Sequence, residues 1–415
     1  MEVAFDSQLR VVVLTTYFKP IIGGVESSAE RLARFLARHG VSTTVVTKRV
    51  LPELPDREAL DGFSIVRIGA LGDRDAAGKW KLIPAATRWL IRHRREYDVI
   101  ACIDYRGIGV APLLARRVTS RPVVFQAQTT GVLSAGNADA TLSRVGIAPT
   151  TWLGRTLKGG VTGLYAGADA FACISHDIER ETGQAGVAAE RIHFLPNPVD
   201  TTHFRPAAGE ERQALRRQWL IEDDRVVVAY AGRLSREKGV AELLEAWRRL
   251  AATGAVGTGE RSPVLLVAGP DMPGHPWNLG ESSRAFVAQH GLASSVRFLG
   301  PLRDVAPLYR AADVAVVPSH FEALGLSALE ALACGTPVVA SAVGGLLDFM
   351  QDGVNGALAP PEDGAALAER MAPLVADAAL RERLSARARQ TVESTYSEEV
   401  VLTRFTALLR RLAGR

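Results

Sequence analysis

The chain has 415 residues, too many for one ordinary hydrophobic core, so two domains are expected. Hydrophobic residues make up 47% and charged residues 23%, as in a soluble globular protein, which excludes a disordered or fibrous chain. A formal net charge of +4 suits anionic small-molecule substrates or an anionic membrane surface, and is too small to point to nucleic acid.

Cys102, Cys173 and Cys334 stand in apolar stretches without CxxC spacing, so buried free thiols in a reducing compartment are expected, not disulfides or metal ligands. The opening MEVAFDSQLR holds Glu2 and Asp6 and no apolar core, unlike a secretory leader. The longest uncharged stretches are broken by Gly, Pro and polar residues, so no membrane span is expected. These features predict a cytoplasmic protein.

In chain order, short β-branched runs alternate with helical patterns, the signature of a doubly wound parallel sheet in an α/β protein. Strands are predicted at 11–16, 43–47, 64–68, 98–103, 123–128, 170–175 and 192–195. The first strand-to-helix turn, KPIIGGVE from Lys19 to Glu26, lacks GxGxxG, and no such motif follows a strand elsewhere, which excludes the dinucleotide fingerprint. Its Gly23-Gly24 pair makes either a plain tight turn or a stretch of bare backbone at a helix N-terminus, where a phosphate or a sugar hydroxyl can bind. Apolar residues at Val25, Ala29, Leu32 and Leu36 give the following helix one face for the sheet.

Asp73-Arg74-Asp75 spells DxD, a short and common pattern, here in a Gly-rich polar stretch away from any strand end; metal binding is not expected there. Residues 79–95 combine Trp80, Leu82, Ile83, Trp89, Leu90 and Ile91 with several basic side chains. An ordinary helix packed on the sheet with a solvated basic face is the expectation, and peripheral contact with an anionic membrane, at its inner face, is the alternative. The stretch 131–163, rich in Gly, Thr and Ser, is a candidate to shape an acceptor site.

NPVDTTHFRP, from Asn197 to Pro206, has the Pro and turn residues of a linker, which puts a domain boundary near residue 199. Beyond it the alternation restarts, with strands at 226–231, 264–268, 296–299, 314–318 and 338–340. An amphipathic helix is expected at 397–414.

Two motifs in this second half carry chemistry. At the end of its first strand, AGRLSREKG places Gly232, Arg233 and Lys238 in a loop before a helix. A diphosphate leaving group gains negative charge as its bond to a sugar breaks, so two fixed cations lower that barrier and can take the place of a metal ion. A solvated basic loop is the plainer alternative, and Arg236 is expected to be a bystander. The stretch from Asp313 to Gly345 reads as a buried strand, a sharp loop, a short helix over about 325–334, a Gly-Thr-Pro turn and a second buried strand. Glu322 falls in the loop at the carboxyl end of a strand, where open α/β sheets bind ligands, and Glu330 lies eight positions on, inside the helix. A carboxylate accepts from two vicinal hydroxyls at once, which suits Glu330 to a ribose diol and leaves Glu322 nearer a transferred group. The N–H groups of Leu324, Gly325 and Leu326 open the helix and can hold a phosphate. Two solvated carboxylates are the alternative.

This segment resembles the signature of family 4 glycosyltransferases, retaining enzymes of the two-domain GT-B fold. Pro318-Ser319, Glu322, Gly325-Leu326, Glu330-Ala331 and Gly335-Thr336-Pro337-Val338 all stand where that family has them. Gly232-Arg233 with Lys238-Gly239 matches the family's Gly-Arg…Lys-Gly motif, and Gly23-Gly24 matches the pair that approaches the donor's diphosphate. Asn197-Pro198-Val199-Asp200 is similar to the family's Asn-Gly-Val-Asp hinge, with Pro for Gly.

The resemblance implies two Rossmann-like domains facing a central cleft: an acceptor-side domain over 1–199, a nucleotide-sugar-binding domain over 200–396, and a C-terminal helix over 397–415 that crosses back to the first. It implies a retaining transferase that moves a sugar from a nucleoside diphosphate of UDP or GDP type to a hydroxyl of a glycan, lipid-linked or small-molecule acceptor. Polysaccharide or glycoconjugate biosynthesis is the implied setting, with no required metal or further cofactor. In the implied site Arg233 and Lys238 bind the diphosphate, Gly23, Gly24 and Gly232 come close to it, Glu322 contacts the transferred sugar and Glu330 holds the ribose. Where many relatives carry a loop His beside the sugar, this chain has Gln128, which can hydrogen-bond a hydroxyl but cannot exchange a proton near neutral pH. Two rival readings are a sugar nucleotide epimerase of the same architecture and a non-catalytic protein that binds sugar nucleotide or a partner. The Gln at 128 favours the last; keeping Glu322, Glu330, Arg233 and Lys238 argues against it.

Overall fold

The computed structural model describes residues 9–21, 23–69, 76–133, 148, 150–256 and 262–415. The chain separates into two compact units, one of Met1–Asn197 with Val401–Arg415 and one of Pro198–Val400. Asp73-Arg74-Asp75 and residues 134–147 and 149 of the candidate acceptor stretch lie outside the described residues.

The first unit is built on an eight-stranded sheet of order β3-β4-β2-β1-β5-β6-β7-β8. Its strands are β1 (Arg10–Leu14), β2 (Ser42–Lys48), β3 (Arg57–Leu60), β4 (Phe63–Ile68), β5 (Val99–Ile103), β6 (Val123–Gln126), β7 (Ala170–Cys173) and β8 (Ile192–Phe194). Every pairing is parallel except that of β3, which returns along β4 through Asp61-Gly62. The two turn residues have φ of 47° and 86°, the left-handed backbone that a two-residue hairpin needs and that Asp-Gly tolerates.

Helices α1 (Gly24–Arg38), α2 (Ala76–Arg92), α3 (Val110–Thr119), α4 (Trp152–Tyr165) and α5 (His176–Gln184) connect these strands. From β1 the chain steps one way to β2 through α1; through α2, α3 and α4 it steps the other way. Right-handed crossovers therefore place α1 on one face and α2, α3 and α4 on the other. On the α1 face, Leu32, Phe35 and Leu36 share a core with Val11 and Val13 of β1 and with Val401, Phe405 and Leu409 of the C-terminal helix Glu398–Ala413. In α2 the side chains of Leu82, Ile83 and Leu90 are buried while Arg88 and Arg92 are exposed, the arrangement of a helix packed on the sheet.

The second unit holds a parallel sheet of order β11-β10-β9-β12-β13-β14. Its strands are β9 (Val227–Ala231), β10 (Val264–Ala268), β11 (Val296–Gly300), β12 (Val314–Val317), β13 (Val338–Ser341) and β14 (Gly356–Ala359). Helices α6 (Gly209–Arg217), α7 (Val240–Ala252), α8 (Gly280–Gln289), α9 (Ala306–Ala311), α10 (Leu326–Ala333), α11 (Gly364–Ala376) and α12 (Ala378–Thr395) cover it. Covered on both sides, its strands are nearly continuous apolar runs. Trp247 of α7 is fully buried and satisfies its indole N–H on Ser295 Oγ at 3.1 Å. Asp313 fixes β12 beside β9: its carboxylate accepts from the Val227 N–H and Arg216 at 2.7 Å each, and from Arg212 at 2.7 Å.

Strand order decides where a ligand can bind in this unit. From β9 the chain runs outward through β10 to β11, then returns to lay β12 on the other side of β9. The loops after β9 and β12 therefore diverge at a topological switch point, the place where open α/β sheets form their ligand crevice.

Among the described residues no helix is long and apolar enough to cross a membrane. Cys102, Cys173 and Cys334 are buried free thiols. Burial pushes the thiols of Cys173 and Cys334 up to about 12, so neither is a thiolate near neutral pH.

Candidate functional site

The loop after β9 carries Arg233 and Lys238. Tyr230, buried in that strand, donates from its hydroxyl to the backbone oxygen of Arg233 at 2.8 Å and so pins the start of the loop. The Arg233 side chain is about half exposed, pairs with Glu237 and reaches Met272 Sδ at 3.7 Å. Lys238 ends a short 3-10 turn, Arg236–Lys238, and Gly239 then enters α7 with φ of 67°. A Cβ at Gly239 would stand 1.8 Å from the backbone oxygen of Pro318, so only glycine lets the β9 loop and the end of β12 approach this closely.

Glu322 follows β12 and meets that loop. Its Oε1 accepts from Lys238 Nζ at 2.6 Å and from Ser319 Oγ at 2.8 Å. Its backbone oxygen accepts from the Gly345 N–H at 3.0 Å, and a Cβ at Gly344, whose φ is 49°, would stand 2.1 Å from that same oxygen. The glycine pair after β13 therefore clamps the Glu322 loop from behind. Glu322 is mostly buried and Lys238 about a quarter exposed, so the pair is shielded from bulk water on one side and open on the other.

Glu330 is half-buried in α10, which starts at Leu326 just after Leu324 and Gly325. Burial pushes the Tyr309 phenol well up, and the charge of Glu330, then that of Glu322 among smaller contributions, adds to it. The Tyr230 phenol is likewise pushed up by burial and next by Glu322. Glu322 and Glu330 thus both act on the Tyr309 phenol.

In the first unit Gly23 precedes α1 in extended backbone and Gly24 opens the helix. A Cβ at Gly24 would meet nothing within 4 Å, so packing does not explain the glycine there; bare backbone facing open space does suit an approaching ligand. Gln128 is knitted to this turn. Its Oε1 accepts from Asn197 Nδ2 at 2.7 Å and from Ser28 Oγ at 3.5 Å, while Ser28 Oγ also bonds the Gly24 oxygen at 2.9 Å. Its Nε2 donates to Gln126 Oε1 at 3.2 Å and Asn197 Oδ1 at 3.4 Å. Both ends of the Gln128 amide are thus engaged by protein. Just beyond, the N–H groups of Gly131 and Leu133 donate to the Glu181 carboxylate at 2.7 and 2.6 Å, which fixes the start of the candidate acceptor stretch.

Several of these partners escape sequence reasoning. Glu237 reads as one charge of a charged loop and Ser28 as one small residue of a helix; their roles come from side-chain packing. His320, its ring mostly buried between Glu242 at 3.1 Å and Glu362 at 3.9 Å, donates its backbone N–H to the backbone oxygen of Glu237 at 2.9 Å and so joins the two loops. The Gly344-Gly345 pair was the available signal for the clamp. Among the described residues no group of three or more His, Cys, Asp or Glu is placed to hold a metal ion.

Comparison with known proteins bears on the family and the fold. The model of glycosyl transferases group 1 matches residues 211–391, and that of glycosyltransferase family 4 matches residues 22–203. D-inositol 3-phosphate glycosyltransferase of Geodermatophilus obscurus is 33% identical over 98% of this chain and 91% of that protein. The protein of that name from Xylanimonas cellulosilytica is 31% identical over 92% of this chain and 91% of its own length. Among solved structures, sucrose-phosphate synthase from Thermosynechococcus elongatus superposes with a TM-score of 0.77 at 24% identity, covering 98% of this chain and 99% of that one. HepE of Anabaena, solved with UDP, superposes at 0.74 with 20% identity, covering 97% of this chain and all of that one. With two parallel-sheet α/β units, matches to both family models along most of its length and relatives above 30% identity over nearly all of it, the chain belongs to the family 4, group 1 glycosyltransferases of the GT-B fold.

Proposed function

We propose that the protein is a retaining transferase that takes a sugar from a nucleoside diphosphate and that its second unit holds the donor. The observation that carries this reading is the Lys238–Glu322 pair at the switch point, with Arg233 on the same loop. Arg233 and Lys238 neutralise the diphosphate as its bond to the sugar breaks; they supply the charge that a metal ion supplies elsewhere. The N–H groups of Leu324, Gly325 and Leu326 add phosphate contacts, Gly232 lets the backbone approach, and Glu330 accepts from the ribose hydroxyls. Glu322 accepts from hydroxyls of the transferred sugar and balances the charge of Lys238. Gly23 and Gly24 offer bare backbone N–H groups to substrate oxygens.

Gln128 does not exchange protons near neutral pH, so the acceptor's proton goes to an oxygen of the departing phosphate on the face where the new bond forms, which gives retention. UDP is the first donor nucleotide to test, since HepE was solved with it. D-inositol 3-phosphate is the first acceptor to test, since relatives spanning the chain are named for it; glycan and lipid-linked acceptors in polysaccharide biosynthesis come next. Three buried free thiols support work in a reducing, cytoplasmic compartment. The test is transfer from UDP-sugars and GDP-sugars, with the anomeric configuration of the product read by NMR. Retention with wild type and about a hundredfold or greater loss of kcat in Glu322→Gln are expected; an inverted product, or full turnover in that variant, overturns the reading.

A further inference from the structure

The second unit has a further pocket at the opposite end of its sheet from the donor loops. Asp313 and Pro337, the residues just before β12 and β13, stand in its wall, so it lies at the amino end of those strands, whereas Glu322 follows the carboxyl end of β12. Its volume is about 320 Å³, and Arg212 of α6, Arg310 of α9 and Arg381 of α12 line it together with Glu382 and the buried Cys334.

Cations outnumber carboxylates around this pocket. Asp313 pairs with both Arg212 and Arg216, and Glu211 with both Arg205 and Arg310, so four guanidinium groups share two carboxylates. Arg381 donates to the oxygens of Leu374 and Val375 at the end of α11, at 2.8 and 3.1 Å, and among the described residues no carboxylate pairs with it. Backbone oxygens satisfy the N–H groups of an arginine without cancelling its charge. Glu382 is the other carboxylate in the wall, and the Cys334 thiol, pushed up to about 12 by burial, adds no negative charge near neutral pH. Five arginines against three carboxylates leave this network with a surplus of two positive charges. Arg216 and Arg310 are mostly buried, and the buried Arg310 Nε has no hydrogen-bond partner among the described residues. Surplus charge on buried side chains is costly unless an anion answers it.

We propose that this pocket binds the phosphate group of a small anion, with the guanidinium groups of Arg212, Arg310 and Arg381 around it. Guanidinium forks match phosphate oxygens in pairs, which makes arginine the residue of choice for such groups. A volume at the small end for a ligand pocket suits inorganic phosphate or the phosphate monoester of a small metabolite, not a nucleotide. Arginines that only cap helix ends are the plainer alternative. That role accounts for the bonds of Arg381 to α11 and of Arg212 to the Ala312 oxygen, but not for the surplus charge or for Arg310 Nε. The inference concerns a second site and does not rest on the donor chemistry.

The test is calorimetric titration of the full chain with inorganic phosphate and with glycerol 3-phosphate at fixed ionic strength, with chloride as the control anion. Wild type is expected to bind one or both saturably; a tighter monoester identifies an esterified ligand, and tighter inorganic phosphate the free ion. Arg212→Gln with Arg310→Gln leaves Asp313 its Arg216 and Glu211 its Arg205, and is expected to weaken binding about tenfold or more. Glu382→Gln, at an exposed position, is expected to tighten binding severalfold, an effect that helix-capping arginines alone do not produce, and it decides the matter should the paired variant not fold. Arg233→Ala with Lys238→Ala is expected to keep the binding, because those residues lie at the other end of the sheet. Wild type that binds neither phosphate, or binds chloride equally well, overturns the proposal. So does binding that the paired glutamine variant keeps in full, that Glu382→Gln leaves unchanged, or that Arg233→Ala with Lys238→Ala abolishes.

Discussion

Lys238 Nζ stands 2.6 Å from Glu322 Oε1, across the loops after β9 and β12. The same oxygen also accepts from Ser319, so two donors fix the carboxylate. Glu322→Gln keeps the shape and removes the charge. It is expected to lower kcat by about 10²–10³ while leaving nucleoside diphosphate binding equal or tighter, because the Lys238 ammonium is then shared with no carboxylate. Steady-state kinetics with calorimetry on the same variant checks both halves.

Arg233 pairs with Glu237, which sits four residues on and is itself partly exposed. A diphosphate held by Arg233, as proposed, has to compete with that carboxylate for the guanidinium. Glu237→Gln is expected to tighten nucleoside diphosphate binding severalfold at low salt, with the gain fading at high salt, whereas Arg233→Ala weakens it about tenfold or more. Binding isotherms at two ionic strengths separate these outcomes; equal affinities in wild type and both variants would remove Arg233 from the site.

Gln128 joins Ser28, Gln126 and Asn197, and through Ser28 reaches the Gly24 oxygen. Gln128→Ala leaves the buried Asn197 amide short of partners, which costs about 1–3 kcal/mol. A lower urea midpoint is expected, together with a fall in kcat/KM. Gln128→Glu keeps the acceptor that Asn197 and Ser28 use and is expected to recover part of the stability. A Gln128→Ala chain as stable as wild type would show that the network adds nothing to the fold.

Asp98 is buried beneath Arg10, Arg121 and the C-terminal Arg415. Burial alone would raise its carboxyl, but the hydrogen bonds and charge of Arg10, with Arg415, override it and hold the pKa below the usual carboxylate range. A group depressed in the folded state contributes stability above its unfolded pKa and loses it as pH falls through the folded value. Asp98→Asn is therefore expected to destabilise the chain by about 3 kcal/mol near neutral pH and to shrink the loss of stability seen below the ordinary Asp range. Thermal midpoints from neutral pH down through that range measure both effects.

Much of the fold is legible in the sequence because buried parallel strands must be apolar and β-branched, as in Val11 to Leu14 or Val264 to Ala268. Two strands escaped for opposite reasons. Strand β14, Gly-Ala-Leu-Ala, sits at a sheet edge and lacks the β-branched residues that mark a strand. Strand β3 carries charge and alternates poorly, although Asp61-Gly62 between it and β4 is a hairpin signal that reads directly from the chain. Of the candidate site, Arg233, Lys238, Glu322 and Glu330 are legible from motif spacing at strand ends. The pairing of Lys238 with Glu322, the Glu237 partner of Arg233 and the amide network of Gln128 depend on how distant loops pack, which spacing does not encode. Residues 79–95 show the limit from the other side: their mixed composition fits a packed helix and a membrane helix alike, and the burial of Leu82, Ile83 and Leu90 shows the packed face alone.

The proposed donor site rests on Arg233 and Lys238 holding a nucleoside diphosphate in the second unit. Its most direct test is calorimetric titration of wild type and Lys238→Ala with UDP, GDP and ADP, each with and without magnesium. Wild type is expected to bind one nucleotide saturably, little changed by magnesium, and the variant to bind it at least about tenfold more weakly. Binding that the variant retains in full, or that appears only with magnesium, would contradict it.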